Sequence, residues 1–169
     1  MTSFSLPPGL ARFNALDESA AQAELREACA STAWVRRLLD ARPCTTPEDL
    51  YTASDAATAG LTRDDLAEAM AAHPPIGRPA PGDPVSAREQ SGMTGASAAL
   101  KAEMLELNLA YQEKFGHVFL ICATGRTGEQ MRDAARERIG NTPDRERDVV
   151  RAELGRINRV RLARLLATA

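Results

Sequence analysis

The sequence has little of what usually advertises chemistry. Its 169 residues contain three cysteines, Cys29, Cys44 and Cys122, with no C-x-x-C spacing. That odd count and spacing exclude a disulfide framework and argue against a structural zinc site. Two histidines, His73 and His117, are too few for a histidine-rich metal centre, and neither an H-E-x-x-H pair nor a D-x-D-x-D-G loop is present. The expectation is metal-free chemistry. Aromatic residues make up only 4%, and 21 basic against 23 acidic side chains leave a net charge of -2. Neither a stacking platform nor a basic field is available, so no nucleic-acid partner is expected. No run approaches the roughly 18 apolar residues of a spanning helix, and Met1-Thr2-Ser3-Phe4-Ser5 lacks the form of a signal peptide. A soluble, unexported protein without a membrane partner is expected.

What is present is helical punctuation. Ser, Thr and Asp caps recur before apolar residues at helical spacing, while Val and Ile are sparse, and this predicts an all-α fold of about seven or more helices. The first helix starts near Asp17 with Ala21, Leu25 and Ala28 on one face. A second follows Ser31 with Trp34 and Leu38 and ends at Arg42-Pro43. Thr46-Pro47-Glu48-Asp49 opens a third, running to about Thr58. Thr62 caps a fourth that ends at His73-Pro74. Leu100, Met104, Leu107 and Tyr111 mark a long helix to about Lys114. Thr127-x-x-Gln130 opens another, ending near Ile139-Gly140, and Thr142-Pro143-Asp144 opens the last, to Leu166. No repeat or linker divides the chain, so residues 1–169 are expected to form a single compact domain.

One stretch fits no regular element. Between His73 and Gly95 lie prolines at 74, 75, 79, 81 and 84 and glycines at 77, 82, 92 and 95. Long loops inside compact domains are usually functional or disordered, which makes this Pro/Gly-rich loop the place to look for an active site. His73 stands at a helix end with its backbone stiffened by Pro74-Pro75. An imidazole so oriented suits acid/base chemistry near neutral pH. A histidine bonding the last helix carbonyls explains the same position. Ser86-Ala87-Arg88-Glu89-Gln90 likewise admits two readings. Ser86-x-x-Glu89 has the spacing of a capping box; the same helix start can receive an anion, with Glu89 and Gln90 offering acceptors and donors to a ureido or amide ligand.

Further on, Val150, Leu154, Ile157, Arg161 and Leu165 place Arg161 along an apolar stripe. A guanidinium there snorkels, pairs with an acid, or faces a cleft holding an anion such as a carboxylate. The run Val118 to Ala123, followed by Thr124-Gly125-Arg126-Thr127, is either core or a buried connector whose backbone meets a ligand. Cys122 reads as a small buried hydrophobe more readily than as a nucleophile, since no base stands near it in sequence. His117 reads as a surface or satisfied histidine.

In combination these stretches resemble the decarboxylase family of 2-oxo-4-hydroxy-4-carboxy-5-ureidoimidazoline (OHCU), which acts in urate breakdown. The likeness runs through Phe13-Asn14-Ala15-Leu16, Cys29 with Trp34, Arg42-Pro43, His73-Pro74-x-Ile76-Gly77 and Ser86-x-x-Glu89-Gln90. It continues through Leu107-Asn108-x-x-Tyr111-x-x-Lys114-Phe115-Gly116, Phe119-x-Ile121-Cys122-Ala123, Arg138 with Asn141, and Arg156-Ile157-x-x-Val160-Arg161-Leu162. The resemblance implies an all-α homodimer without a cofactor that converts OHCU to (S)-allantoin and CO2. It gives His73 the role of acid/base and Glu89 that of its catalytic partner. Pro74, Ser86, Ala87, Arg88, Glu89, Gln90, Arg161 and the segment Ile121, Cys122, Ala123, Thr124 and Gly125 become substrate-binding.

Two positions depart from the family pattern, Pro75 and Thr124, where many members carry a basic residue. Neither removes a proposed catalytic group. The C-terminus, Leu166-Ala167-Thr168-Ala169, lacks a peroxisomal tripeptide, so a cytoplasmic location is expected. Two other functions fit the same residues: a decarboxylase, lyase or hydrolase for another ureido or imidazoline compound, and a non-catalytic helical interaction module.

Overall fold

The computed structural model describes residues 5–78 and 82–168, so Pro79 and Pro81 of the loop lie outside the described residues. The described chain is all-helical, with no strand among its residues. In order come α1 (Pro8–Ala15), α2 (Glu18–Ala28), α3 (Thr32–Asp40), α4 (Pro47–Ala59), α5 (Arg63–Ala71) and α6 (Pro84–Glu89). A 3-10 turn (Ser91–Met93) follows, then α7 (Ala98–Phe115), α8 (Gly128–Ile139) and α9 (Pro143–Ala167).

The expected caps are the ones used. Asp17, Ser31, Thr46 and Thr127 each accept a backbone N–H at the start of their helix, and Ser97, not singled out in the sequence, does the same for α7. One helix went unread in the sequence, and another, α6, starts before the expected cap. α1 starts at a proline with no side-chain cap, and Gly9 inside it reads as a breaker. Gly9 is required there because a Cβ would stand 1.7 Å from the carbonyl oxygen of Leu166. The other, α6, lies within the Pro/Gly-rich loop.

The described residues gather into two compact units, one drawn from Met1–Ala69 with Gly155–Ala169, the other Met70–Leu154. In the first, Leu10, Phe13, Leu25, Trp34, Leu38, Leu50 and Leu162 are buried. Among its buried polar groups, Trp34 Nε1 donates to Ser54 Oγ (3.1 Å), and Asn158 Nδ2 to Thr58 Oγ1 (3.3 Å). Asn14 bonds both backbone groups of Cys44, and Arg42 Nη1 donates to the carbonyls of Phe13 and Leu16. The opening motif and Arg42-Pro43 are thus parts of one structural joint.

In the second unit Ile76, Met93, Met104, Tyr111, Phe119, Ile121, Ala123 and Met131 form one apolar cluster. Beside it sits an ionic knot. Glu146 is 0% exposed and accepts from Tyr111 Oη (2.6 Å), Arg138 Nε (2.8 Å), Arg138 Nη2 (2.5 Å) and Asn141 Nδ2 (3.0 Å). Arg138 Nη1 reaches the Leu120 carbonyl (2.7 Å), and its guanidinium lies 4.5 Å from the Phe119 ring centroid. Burial first, then the hydrogen bond to Glu146, pushes the Tyr111 phenol well above its usual range. Lys114 Nζ donates to the carbonyls of Ile139 and Asn141 at the end of α8.

A buried ion left without its partner costs about 3–5 kcal/mol. Glu146→Ala is therefore expected to lower unfolding stability by about that amount, measured by urea denaturation; a loss below about 1 kcal/mol, the level of an exposed pair, would contradict the assigned role.

Candidate active site

His73 follows α5 closely, its N–H closing a last turn on the Met70 carbonyl (3.0 Å). Its side chain is half-buried. Pro74 and Pro75 have no N–H and a fixed φ, so the next residues cannot extend a helix. Side chains take up the freed backbone groups. Gln90, 5% exposed, donates from Nε2 to the Pro75 carbonyl (3.1 Å) and accepts the Gly77 N–H at Oε1 (2.9 Å). Asn108 on α7 donates to the Ile76 carbonyl (2.9 Å), while the Ile76 side chain enters the apolar cluster. Gly77 has φ +85°, a conformation that suits glycine. The loop carrying His73 is held at three successive residues by two amide side chains.

α6 corrects one expectation. Ser86 does not form a capping box with Glu89: Asp83 is the cap, accepting the N–H groups of Val85 (3.0 Å) and Ser86 (3.3 Å). Pro84 explains the choice, since proline favours the first helical position and the residue before it becomes the cap. Ser86 is an internal residue of α6, 2% exposed, and its Oγ donates to the Asp83 carbonyl (3.3 Å). Glu89 ends α6 rather than opening it, so the expected anion-receiving helix start at Ser86 is not formed. Ala87 and Arg88 are exposed and Glu89 is half-buried.

Ile121, Cys122 and Ala123 are buried, and Ile121 and Ala123 share the apolar cluster with Ile76. Thr124 and Gly125 form an exposed turn, closed by the Arg126 N–H on the Ala123 carbonyl (3.0 Å), with Gly125 at φ +77°. Burial, chiefly, and then the Glu153 carboxylate push the Cys122 thiol up, with Glu89 adding in the same direction. A thiol so raised is a poor nucleophile, in keeping with the reading of Cys122 as core. Gln90, the C-cap of α6, bonds the loop, and Ile76 of that loop shares the apolar cluster with Ile121 and Ala123. Three sequence-distant pieces, the His73 loop, α6 and residues 121–125, therefore meet in one unit.

His117 is satisfied, with Nδ1 3.0 Å from the Val118 carbonyl and its ring edge-on to Tyr111. Arg161 belongs to the other unit, where its half-buried side chain donates from Nη1 to the Ala28 carbonyl (3.0 Å) at the end of α2. Among the described residues no group of three or more His, Cys, Asp or Glu side chains is arranged to hold a metal ion, and no helix is long and apolar enough to cross a membrane.

The family model described as OHCU decarboxylase matches residues 14–163. The chain belongs to the OHCU decarboxylase family. It is 34% identical over 152 residues to the uric acid degradation bifunctional protein TTL of Arabidopsis thaliana, covering 85% of this chain and 47% of that protein. It is 38% identical over 73 residues to the 2-oxo-4-hydroxy-4-carboxy-5-ureidoimidazoline decarboxylase of Amia calva, covering 43% of this chain and 42% of that one. The chain thus spans less than half the length of these curated relatives. A crystal structure of an OHCU decarboxylase in the presence of (S)-allantoin superposes with a TM-score of 0.74 at 34% identity, covering 85% of this chain and 97% of that one. An (S)-allantoin synthase shares the fold, with a TM-score of 0.72 at 18% identity over 92% of this chain and 53% of the other.

Asp83 and Glu153, not singled out in the sequence, and Asn108, which enters there only as part of the family motif, hold the backbone of these segments. Glu153 is buried and accepts the Cys122 N–H. The signal was available, because Glu146, Val150, Glu153, Leu154 and Ile157 lie on one helical stripe and two of the five are acids.

Gln90→Ala removes both bonds to the loop, and the Gly77 amide is expected to exchange with deuterium about tenfold faster, roughly the value of one hydrogen bond; unchanged exchange contradicts the clamp. The thiols of Cys29, Cys44 and Cys122 are all raised in the folded chain, chiefly by burial. Their contribution to stability is full below the unfolded thiol value of about 8.5 and falls as pH rises past it towards the folded values. Urea unfolding between pH 7 and 10 is expected to show that decline.

Proposed function

We propose that this chain decarboxylates OHCU to (S)-allantoin and CO2 in urate degradation, without a cofactor, as a cytoplasmic homodimer whose residues 1–169 act as one catalytic domain. The observation that carries the reading is a clamped histidine loop joined to α6, in a chain matched by the family model from residue 14 to 163. The decarboxylase and uric acid degradation relatives support the reaction, and the resemblance supports the homodimer.

The chemistry suits a site built of side chains alone. When the bond between the ring carbon and the carboxylate breaks, CO2 leaves and the electron pair passes into the conjugated imidazoline ring. One proton is then taken up, and the hydroxyl proton is exchanged for one on the carbon bearing the ureido group. The ring is its own electron sink, so the protein's tasks are orientation and proton control. His73 takes the hydroxyl proton and supplies the one to carbon, and an imidazole held on one face gives one hand of product. Glu89 orients His73 and the substrate. Backbone groups of Pro74 and of residues 121–125 line the substrate, with Gln90 holding the loop.

The test is a coupled circular-dichroism assay in which OHCU is made from urate with urate oxidase and hydroxyisourate hydrolase. Wild-type protein is expected to build an (S)-allantoin signal rapidly, where spontaneous decay gives racemate. His73→Asn is expected to lose about 10²–10⁴-fold in kcat, the usual worth of a general acid/base, with its helical spectrum intact. No acceleration by folded wild-type protein overturns the reading.

A further inference from the structure

Arg126 and Glu153 grip a single residue, Cys122, at both of its backbone groups. Glu153, on the first half of α9, is 6% exposed and accepts the Cys122 N–H at Oε2 (2.9 Å). Arg126 donates from Nε to the Cys122 carbonyl (3.0 Å), and its Nη2 lies 3.7 Å from Glu153 Oε1. A buried carboxylate needs partners, and one partner of this carboxylate is the main chain of an irregular segment.

The grip fixes two peptide planes. Both peptides are trans, so N–H and C=O in each point in opposite directions. Drawing the Cys122 N–H to Glu153 turns the Ile121 carbonyl away from the ion pair. Drawing the Cys122 carbonyl to Arg126 turns the Ala123 N–H away from it too. Ala123 is buried, yet among the described residues its N–H has no acceptor. A buried N–H without a partner is uncommon and marks a place where something else supplies one.

We propose that Arg126 and Glu153 are positioning residues for the decarboxylation, presenting the Ile121 carbonyl and the Ala123 N–H as an acceptor and donor pair to the ureido group of the substrate. A ureido group carries N–H donors beside a carbonyl acceptor and so complements that pair. The inference rests on the decarboxylase reading. Because the ureido group is the same in substrate and transition state, losing this contact weakens binding without slowing the chemical step.

The experiment compares wild type with Arg126→Ala, Glu153→Ala and Glu153→Gln, taking KM and kcat from the coupled assay and the Kd of (S)-allantoin, which keeps the ureido group, from calorimetry. Arg126→Ala and Glu153→Ala are expected to raise KM and Kd about tenfold, the worth of roughly one hydrogen bond, with kcat changed less than about twofold. Glu153→Gln keeps an oxygen for the Cys122 N–H and is expected to lie closer to wild type than Glu153→Ala. Unchanged KM and Kd, with losses only in melting temperature or total activity, would overturn the proposal and leave the pair structural. Wild type that binds (S)-allantoin without turning over OHCU refutes the decarboxylase reading while Kd still judges the grip. Wild type that does neither refutes both.

Discussion

Two hydrogen bonds from the amide of Gln90 hold the backbone on which His73 is mounted. The constraint behind them is that Pro74 and Pro75 offer no N–H, so the segment after α5 cannot satisfy its carbonyls through a regular ladder. Gln90 bonds the Pro75 carbonyl and the Gly77 N–H, and Asn108 bonds the Ile76 carbonyl between them. Ile76 then buries its side chain beside Met93, Ile121 and Ala123. A loop that looks flexible by composition is therefore fixed at consecutive residues. Geometry of that kind is what a one-sided proton transfer requires.

The same logic governs the two buried acids of α9. Glu146 neutralises Arg138 and takes the Tyr111 hydroxyl, which ties α7, α8 and α9 around the Phe119 ring. Glu153, two turns further on, bonds the main chain of Cys122. Each acid occupies a slot where an apolar residue would pack more cheaply. Both are committed to positioning something irregular: Arg138 also holds the Leu120 carbonyl, and Arg126, beside Glu153, holds that of Cys122. The segment from residue 118 to 123 has no regular partner, so charged side chains on neighbouring helices fix its course.

Much of this was legible in the residues. Helix starts at Asp17, Ser31, Thr46, Thr62, Thr127 and Thr142 follow from local cap chemistry, which acts within three residues and leaves a readable spacing. The His73, Ser86 to Gln90 and Ile121 to Gly125 stretches were singled out for the residue types they contain. α1 was not legible, because its glycine is explained only by the Leu166 carbonyl packed against it, some 150 residues away in sequence. Ser86-x-x-Glu89 misled because spacing alone does not say which of Asp83 and Ser86 is the cap; Pro84 decides it. Asn108 and Glu153 carry ordinary side chains at ordinary helical positions, and their roles depend on backbone brought to them by the fold.

We propose that the histidine loop, the end of α6 and residues 121–125 form the place where a ureido compound is bound and protonated. A crystal structure of this protein with (S)-allantoin tests it most directly. The account predicts the ligand against His73 and Glu89, with the Ala123 N–H donating to it and the Gln90 bonds to Pro75 and Gly77 intact. Allantoin bound elsewhere, or bound only after the Gln90 clamp has opened and His73 has swung away, would contradict it.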